Sequence, residues 1–202
     1  MGRKSLADER RAEILAAFEQ CIVRYGLDVP LEQIADQAGV KRSLIRHYIG
    51  NRGELVDQMI ERISTDHVDR LGQLFDRASE GGINRLLDFF FEPFDDVSDW
   101  DALLMAVINS HGEQYHRARL RVGQMLLVVN ERLANVLLRL YPQATPADCS
   151  RVAYGLLSLV QMNDALECLG INDSRTTLAR ANAERLLADL QATADTVNNT
   201  SA

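Results

Sequence analysis

Apolar residues recur along this chain at spacings of three and four, and almost nowhere in strict alternation. That is the period of helices, not of strands. Ile14, Phe18, Cys21, Ile22 and Tyr25 fall at i, i+4, i+7, i+8 and i+11, which predicts an amphipathic helix over about 7–25 ended by Gly26. Leu31, Ile34, Ala35 and Ala38 predict a short second helix with Pro30 in its first turn, where proline's missing N–H costs nothing, and Gly39 follows. A third short helix spans about 41–49, and a long one runs from Glu54 to about Ser79 with Leu55, Met59, Ile63, Leu71 and Leu74 inward.

A Phe-rich helix is expected over 83–92, and Ser98-Asp99-Trp100-Asp101 reads as a capping box opening another over about 99–110. Val122, Met125, Val129, Leu133, Val136 and Leu140 mark a long helix that stops before Pro142. Thr145-Pro146-Ala147-Asp148 supplies cap, proline and acid for a helix over 146–169, and the last helix spans about 174–195. The tail 196–202 is read as disordered. The fold class is all-α, with about nine helices.

Composition is that of an ordinary globular chain: 202 residues, 47% hydrophobic and 25% charged. No run approaches the roughly 18 uncharged apolar residues that a membrane helix needs. The start, MGRKSLADERR, has no apolar core of signal-peptide type, so a cytoplasmic location is expected. Cys21, Cys149 and Cys168 are far apart and form no CxxC, which disfavours a disulfide framework or a zinc site. No cofactor or metal is expected.

Charge changes the picture. The formal charge is −7, yet residues 1–60 hold nine Lys/Arg and nine Asp/Glu, so the acidity lies in the remainder. An acidic body disfavours general polyanion binding, and any contact with a phosphate backbone has to be local. One segment qualifies: VKRSLIRHYIGNR, Val40–Arg52, has four Lys/Arg and no acid. At about 100° per residue, its helix turns Ile45 and Ile49 inward. Ser43 and His47 point outward beside Leu44 and Arg46, with Arg42 and Tyr48 on the edges and Lys41 at its start. Small residues at Ala35 and Ala38, and Gly39 in the turn, let two helices cross closely. Such a helix can enter a major groove; it can equally be a solvated cationic face.

LEQIADQAGVKRSLIRHYIGNRGELV, Leu31–Val56, resembles the DNA-binding signature of the TetR family of transcriptional regulators. Ile34-Ala35, the Ala38-Gly39-Val40 turn, and Arg52 followed by Leu55 carry the likeness, which is dense over residues 8–60. Beyond them it is a likeness of helix number and length. The resemblance implies a helix-turn-helix DNA-binding domain over 1–53 and an effector-binding and dimerisation domain over 54–202, connected by the helix 54–79. It implies major-groove contacts from Arg42, Ser43, Arg46, His47 and Tyr48, with Lys41 and Leu44 alongside, and a phosphate contact from Arg52. It further implies a homodimer on palindromic double-stranded DNA, released by a small organic effector, with repression as the family default.

Three departures stand out. Arg46 replaces a usual backbone-contacting aromatic, and Ile49 a usual phenylalanine. Pro30 and Lys41 replace usual capping residues, which leaves the first amides of two helices to water or a phosphate. Arg3 and Lys4 are a candidate minor-groove arm.

In the body, the helix over 146–169 has no polar face across VAYGLLSLVQM and so needs cover on both sides. One side can be the domain core; a second copy is expected to cover the other, through Leu156, Leu159, Val160, Ala183, Leu186, Leu187 and Leu190, where the alternative is a larger core within one chain. Candidate effector contacts are Phe90, Phe94, Trp100, Met105, His111, Tyr115, Met125, Gln161 and Asn163, an apolar set with a few polar groups. Asp164 and Glu167 add acids on the same apolar helix. Trp100 with its neighbouring acids is also a candidate cage for a cation.

Enzyme chemistry finds no support. His111 and His116 in HGEQYH stand five apart, on different helix faces, where a metalloprotease pair stands four apart. No phosphate-cradling glycine loop and no nucleophile elbow is present. The competing reading is a helical redox sensor or interaction protein that uses Cys149 or Cys168 and has altered DNA binding.

Overall fold

The computed structural model describes residues 6–91, 100–168, 170–171 and 175–200. They form α1 Leu6–Tyr25, α2 Leu31–Gln37, α3 Arg42–Tyr48, α4 Arg52–Glu80, α5 Ile83–Phe91, α6 Trp100–Ile108, a 3-10 turn Glu113–Tyr115, α7 His116–Leu140, α8 Pro146–Cys168 and α9 Arg175–Thr200. No strand occurs among the described residues, so the fold is all-α.

The chain divides into two compact units. The first holds residues 1–66 and 98–124; the second holds 67–97 and 125–202. The segment with α6 and the start of α7 clusters with the amino-terminal helices, and α4 runs from the first unit into the second.

In the first unit, the periodic positions of α1 are inside: Ile14, Phe18, Cys21 and Ile22 are buried. So are Ile34 and Ala35 of α2, Ile45 of α3, and Leu55, Val56, Met59, Ile60 and Ile63 of α4. The α2–α3 turn is closed by Val40 N–H donating to Ala35 O at 2.9 Å and Gly39 N–H to Asp36 O at 3.2 Å. This is the paired bonding of a left-handed helix stop, and Gly39 supplies φ 63°. A long reach joins α1 to α4, where Arg62 donates to both oxygens of Glu19 at 2.6 and 2.7 Å.

Helix α4 begins at Arg52, two residues earlier than the apolar pattern indicates, because Asn51 and Glu54 cap it reciprocally. Glu54 N–H donates to Asn51 Oδ1 at 3.0 Å and Asn51 N–H to Glu54 Oε2 at 2.7 Å. Gly50 stands at φ 115°, and a Cβ there would collide with the Glu54 carboxylate.

The second unit packs α8 against α9, with α5 also on α9. Its core holds Phe75, Leu86, Leu87, Val129, Leu133, Leu137, Val152, Leu156, Ala183 and Leu190. Gly155 lets α8 and α9 approach: a Cβ there would lie 2.8 Å from Leu186 Cδ1. The expected cap of α8 is present, with Thr145 Oγ1 accepting from Asp148 N–H at 3.1 Å. Arg180 of α9 donates to Asp88 of α5 at 2.6 Å.

Helix α9 runs to Thr200, past the end near 195 and into the tail read as disordered. No proline or glycine occurs in 191–200, and each added residue of a formed helix gains a hydrogen bond at little nucleation cost. The Ser98-Asp99 half of the expected capping box, the arm residues Arg3 and Lys4, and residues 201–202 lie outside the described residues. No helix among the described residues is long and apolar enough to cross a membrane.

Candidate nucleic-acid interface and effector region

The third helix is held by its apolar face. Ile45 and Ile49 are 0% and 6% exposed, which fixes the rotation of α3. Lys41, Arg42, Ser43, Arg46 and His47 are exposed, and Leu44 and Tyr48 are half-buried. This is the facing that the period indicates.

Two side chains from other helices pin the end of α3. Arg11 Nε of α1 donates to Tyr48 O at 3.2 Å, and Gln58 Nε2 of α4 donates to Ile49 O at 3.1 Å. The rings of His47 and Tyr48 meet edge to face at 4.9 Å. The amino ends of α2 and α3, at Pro30 and Lys41, have no side-chain cap.

The cations differ in freedom. Arg42 pairs with Glu32 of α2 at 2.6 Å, across half-exposed side chains. Arg46 and Lys41 make no side-chain bond among the described residues, so their charges are open to a phosphate. Arg52 is placed differently from the phosphate contact that resemblance implies. Its guanidinium turns inward and donates to Leu27 O at 2.7 Å and to Val29 O, two carbonyls of the α1–α2 loop. A planar fork suits two carbonyls better than a point charge does. Sequence reasoning misses this role, because the loop's carbonyls come within reach only in three dimensions.

The effector candidates are divided between the two units. His111 and Tyr115 line a cleft of about 450 Å³ in the first unit, together with Asp28, Asn109, Ser110 and Gln114. His111 is exposed, whereas Tyr115 is 3% exposed and its hydroxyl donates to Asp28 Oδ1 at 2.6 Å. Burial, then the bond to Asp28, pushes the Tyr115 phenol above its ordinary value. Met105 of α6 is half-buried in the same unit. Phe90, Met125, Gln161 and Asn163 belong to the second unit, where Phe90 packs on Phe75 with ring centroids 5.7 Å apart. Phe94 lies outside the described residues, as do the side chains of Trp100, Asp164 and Glu167.

A smaller cavity of about 200 Å³, lined by Gly72, Phe75, Arg132 and Arg139 among others, lies in the second unit. Arg132 donates to Val68 O at 2.8 Å there, in space left by the missing side chain of Gly72. The one signal for it in the sequence is a glycine inside a helical pattern.

The proposed dimer residues divide. Leu156, Ala183, Leu187 and Leu190 are 0–4% exposed in the chain's own core, so their side chains have no surface left for a partner. Leu159, Val160 and Leu186 are half-buried. Tyr154 and Met162 of α8 and Leu178 of α9 are 71%, 61% and 59% exposed. The apolar helix α8 is thus covered on one side and bare on another.

The thiol alternative is disfavoured. Cys149 is buried, and burial followed by the charge of Asp148 raises its thiol above the ordinary value. A neutral, inaccessible thiol is a poor nucleophile. The Cys168 side chain lies outside the described residues. Among the described residues no group of three or more His, Cys, Asp or Glu is placed to hold a metal ion.

No family model matches the chain. The HTH-type transcriptional regulator BetI of Cronobacter sakazakii (strain ATCC BAA-894) is 28% identical over 157 residues, covering 75% of each chain. A TetR transcription regulator from Haloarcula marismortui superposes with a TM-score of 0.71 at 18% identity, over 91% of this chain and 98% of that one. A transcriptional regulator from Saccharomonospora viridis, solved in complex with choline, superposes with a TM-score of 0.72 at 15% identity, over 90% and 96%. The likeness first visible in residues 31–56 thus extends along the chain, and the fold is the all-helical fold of these regulators.

Proposed function

We infer that this chain is a TetR-family regulator: a ligand-responsive DNA-binding protein that controls transcription, not an enzyme. The observation that carries the reading is α3 itself. Ile45 and Ile49 are sunk in the head, and Lys41, Ser43, Arg46 and His47 face solvent on a helix pinned at its end by Arg11 and Gln58. A rigid, cationic, outward helix on an acidic chain has duplex DNA as its natural partner.

The finer assignments follow from that. Lys41, Arg42, Ser43, Leu44, Arg46, His47 and Tyr48 form the groove-facing set, with Arg46 and Lys41 free to meet phosphates. Arg52 supports the head from inside. A functional division near residue 53 separates reading head from body. Two copies pair through the bare face of α8 and α9, with Tyr154, Met162 and Leu178 joining Leu159, Val160 and Leu186. Two heads about 34 Å apart then read a palindrome. The protein acts in the cytoplasm as a repressor that a small organic effector releases. Choline, bound by the similar S. viridis regulator, is the first compound to test.

The test is a gel shift with the DNA upstream of the protein's own gene at moderate salt. Retarded duplex is expected with the parent chain and none with Arg42→Ala/Arg46→Ala. Equal retardation of both, or of neither, overturns the reading.

A further inference from the structure

The stretch 98–124 enters the first compact unit between two stretches that belong to the second, so the head is tied to the rest of the chain by more than α4. The connection between α6 and α7 within that stretch is stiff. Arg119 gathers the carbonyls of Ser110 and Gly112 at 3.0 Å each. Gly53 admits its backbone closely: a Cβ at 53 would lie 2.8 Å from Gln114 O. Arg117 to Asp57 at 3.6 Å and Arg121 to Glu61 at 2.8 Å continue the seam along α4. Both arginines are exposed, so these pairs contribute little.

The contact of Tyr115 with Asp28 is of another kind. The phenol is 3% exposed and makes a directed 2.6 Å bond to a carboxylate on the α1–α2 loop. Arg52 grips the carbonyls of Leu27 and Val29 on either side of Asp28. The loop that leads into α2 and α3 is therefore held from the α6–α7 connection at one atom and from α4 at two. Beside that atom lies the cleft of about 450 Å³, which gives the connection room to shift.

We propose that the Tyr115–Asp28 hydrogen bond is a latch that couples the α6–α7 connection to the orientation of the reading head. Tyr115 is then a positioning residue. Its hydroxyl bonds the α1–α2 loop and not α3, and its loss frees the head to take several orientations without altering the reading surface. The proposal rests on the reading of the chain as a dimeric operator-binding regulator.

The test uses the full chain with Tyr115→Phe, Asp28→Ala and the double variant. Each is titrated against palindromic duplexes built from the upstream DNA, with the spacer between half-sites shortened or lengthened in single base-pair steps. The parent chain is expected to favour one spacing sharply. Tyr115→Phe should flatten the ratio between best and worst spacings by about tenfold, while affinity at the best spacing stays within about threefold. Asp28→Ala, which leaves no acceptor for the Tyr115 hydroxyl, should do the same, and the double variant should add nothing, because each change removes the same bond. An unchanged spacing profile in either folded variant overturns the latch, and so does a uniform loss at every spacing.

A parent chain that binds no duplex sinks the regulator reading instead. Hydrogen exchange then judges the latch on its own. Amides of 26–29 should exchange about tenfold faster in Tyr115→Phe while those of 42–48 keep their rates. Equal rates at 26–29 overturn it.

Discussion

The guanidinium of Arg42 on α3 sits 2.6 Å from the carboxylate of Glu32 on α2, so one cation of the third helix is tethered to the second. An exposed pair of this kind adds little to stability. Its effect is to hold one long side chain in one direction, which on the proposed reading keeps it for a base edge and away from passing phosphates.

Removing the tether is expected to trade specificity for charge. Glu32→Ala should strengthen binding to random duplex and steepen its salt dependence by about one ion, because Arg42 becomes free to meet phosphate. Affinity for the operator should rise less. Anisotropy titrations of both duplexes across a salt series check this, and an unchanged ratio refutes the tether's role.

Arg46 has no such partner among the described residues. Arg46→Ala should weaken operator binding and make the log–log salt slope shallower by about 0.9. If the slope stays and base preference relaxes, Arg46 reads a base.

Arg52 should behave as part of the head's interior. Arg52→Ala loses bonds to two loop carbonyls and should lower unfolding free energy by about 1–3 kcal/mol, while the salt slope is unaffected. Arg52→Lys should recover only part of that, because an ammonium cannot span the two carbonyls as a fork. Urea midpoints measure the first effect and titrations the second; a full-unit loss of slope at unchanged stability would return Arg52 to the phosphate.

Gly155→Val should destabilise the second unit by about 1–3 kcal/mol, since a Cβ at 155 meets Leu186 Cδ1 at 2.8 Å and a branched side chain forces Leu186 into another rotamer. Thermal unfolding reads this directly.

Much of the molecule follows from local chemistry. Helix period alone places Ile45 and Ile49 inside and Ser43 and His47 outside, because a short amphipathic helix has one way to bury its apolar edge. Thr145 and Asp148 announce their helix start for the same reason: the bond they make closes within one turn. Asn51 and Glu54 make an equivalent box that apolar spacing overlooks, since it lies ahead of the first periodic residue.

What depends on neighbours far along the chain was not legible. The inward turn of Arg52, the union of Tyr115 with Asp28, and the burial of Leu156 and Leu190 in the chain's own core all need the packed structure. Pattern says that a side chain is apolar or charged and which face it shares. Which surface covers that face, a second copy or the same chain, is decided by where distant helices come to rest.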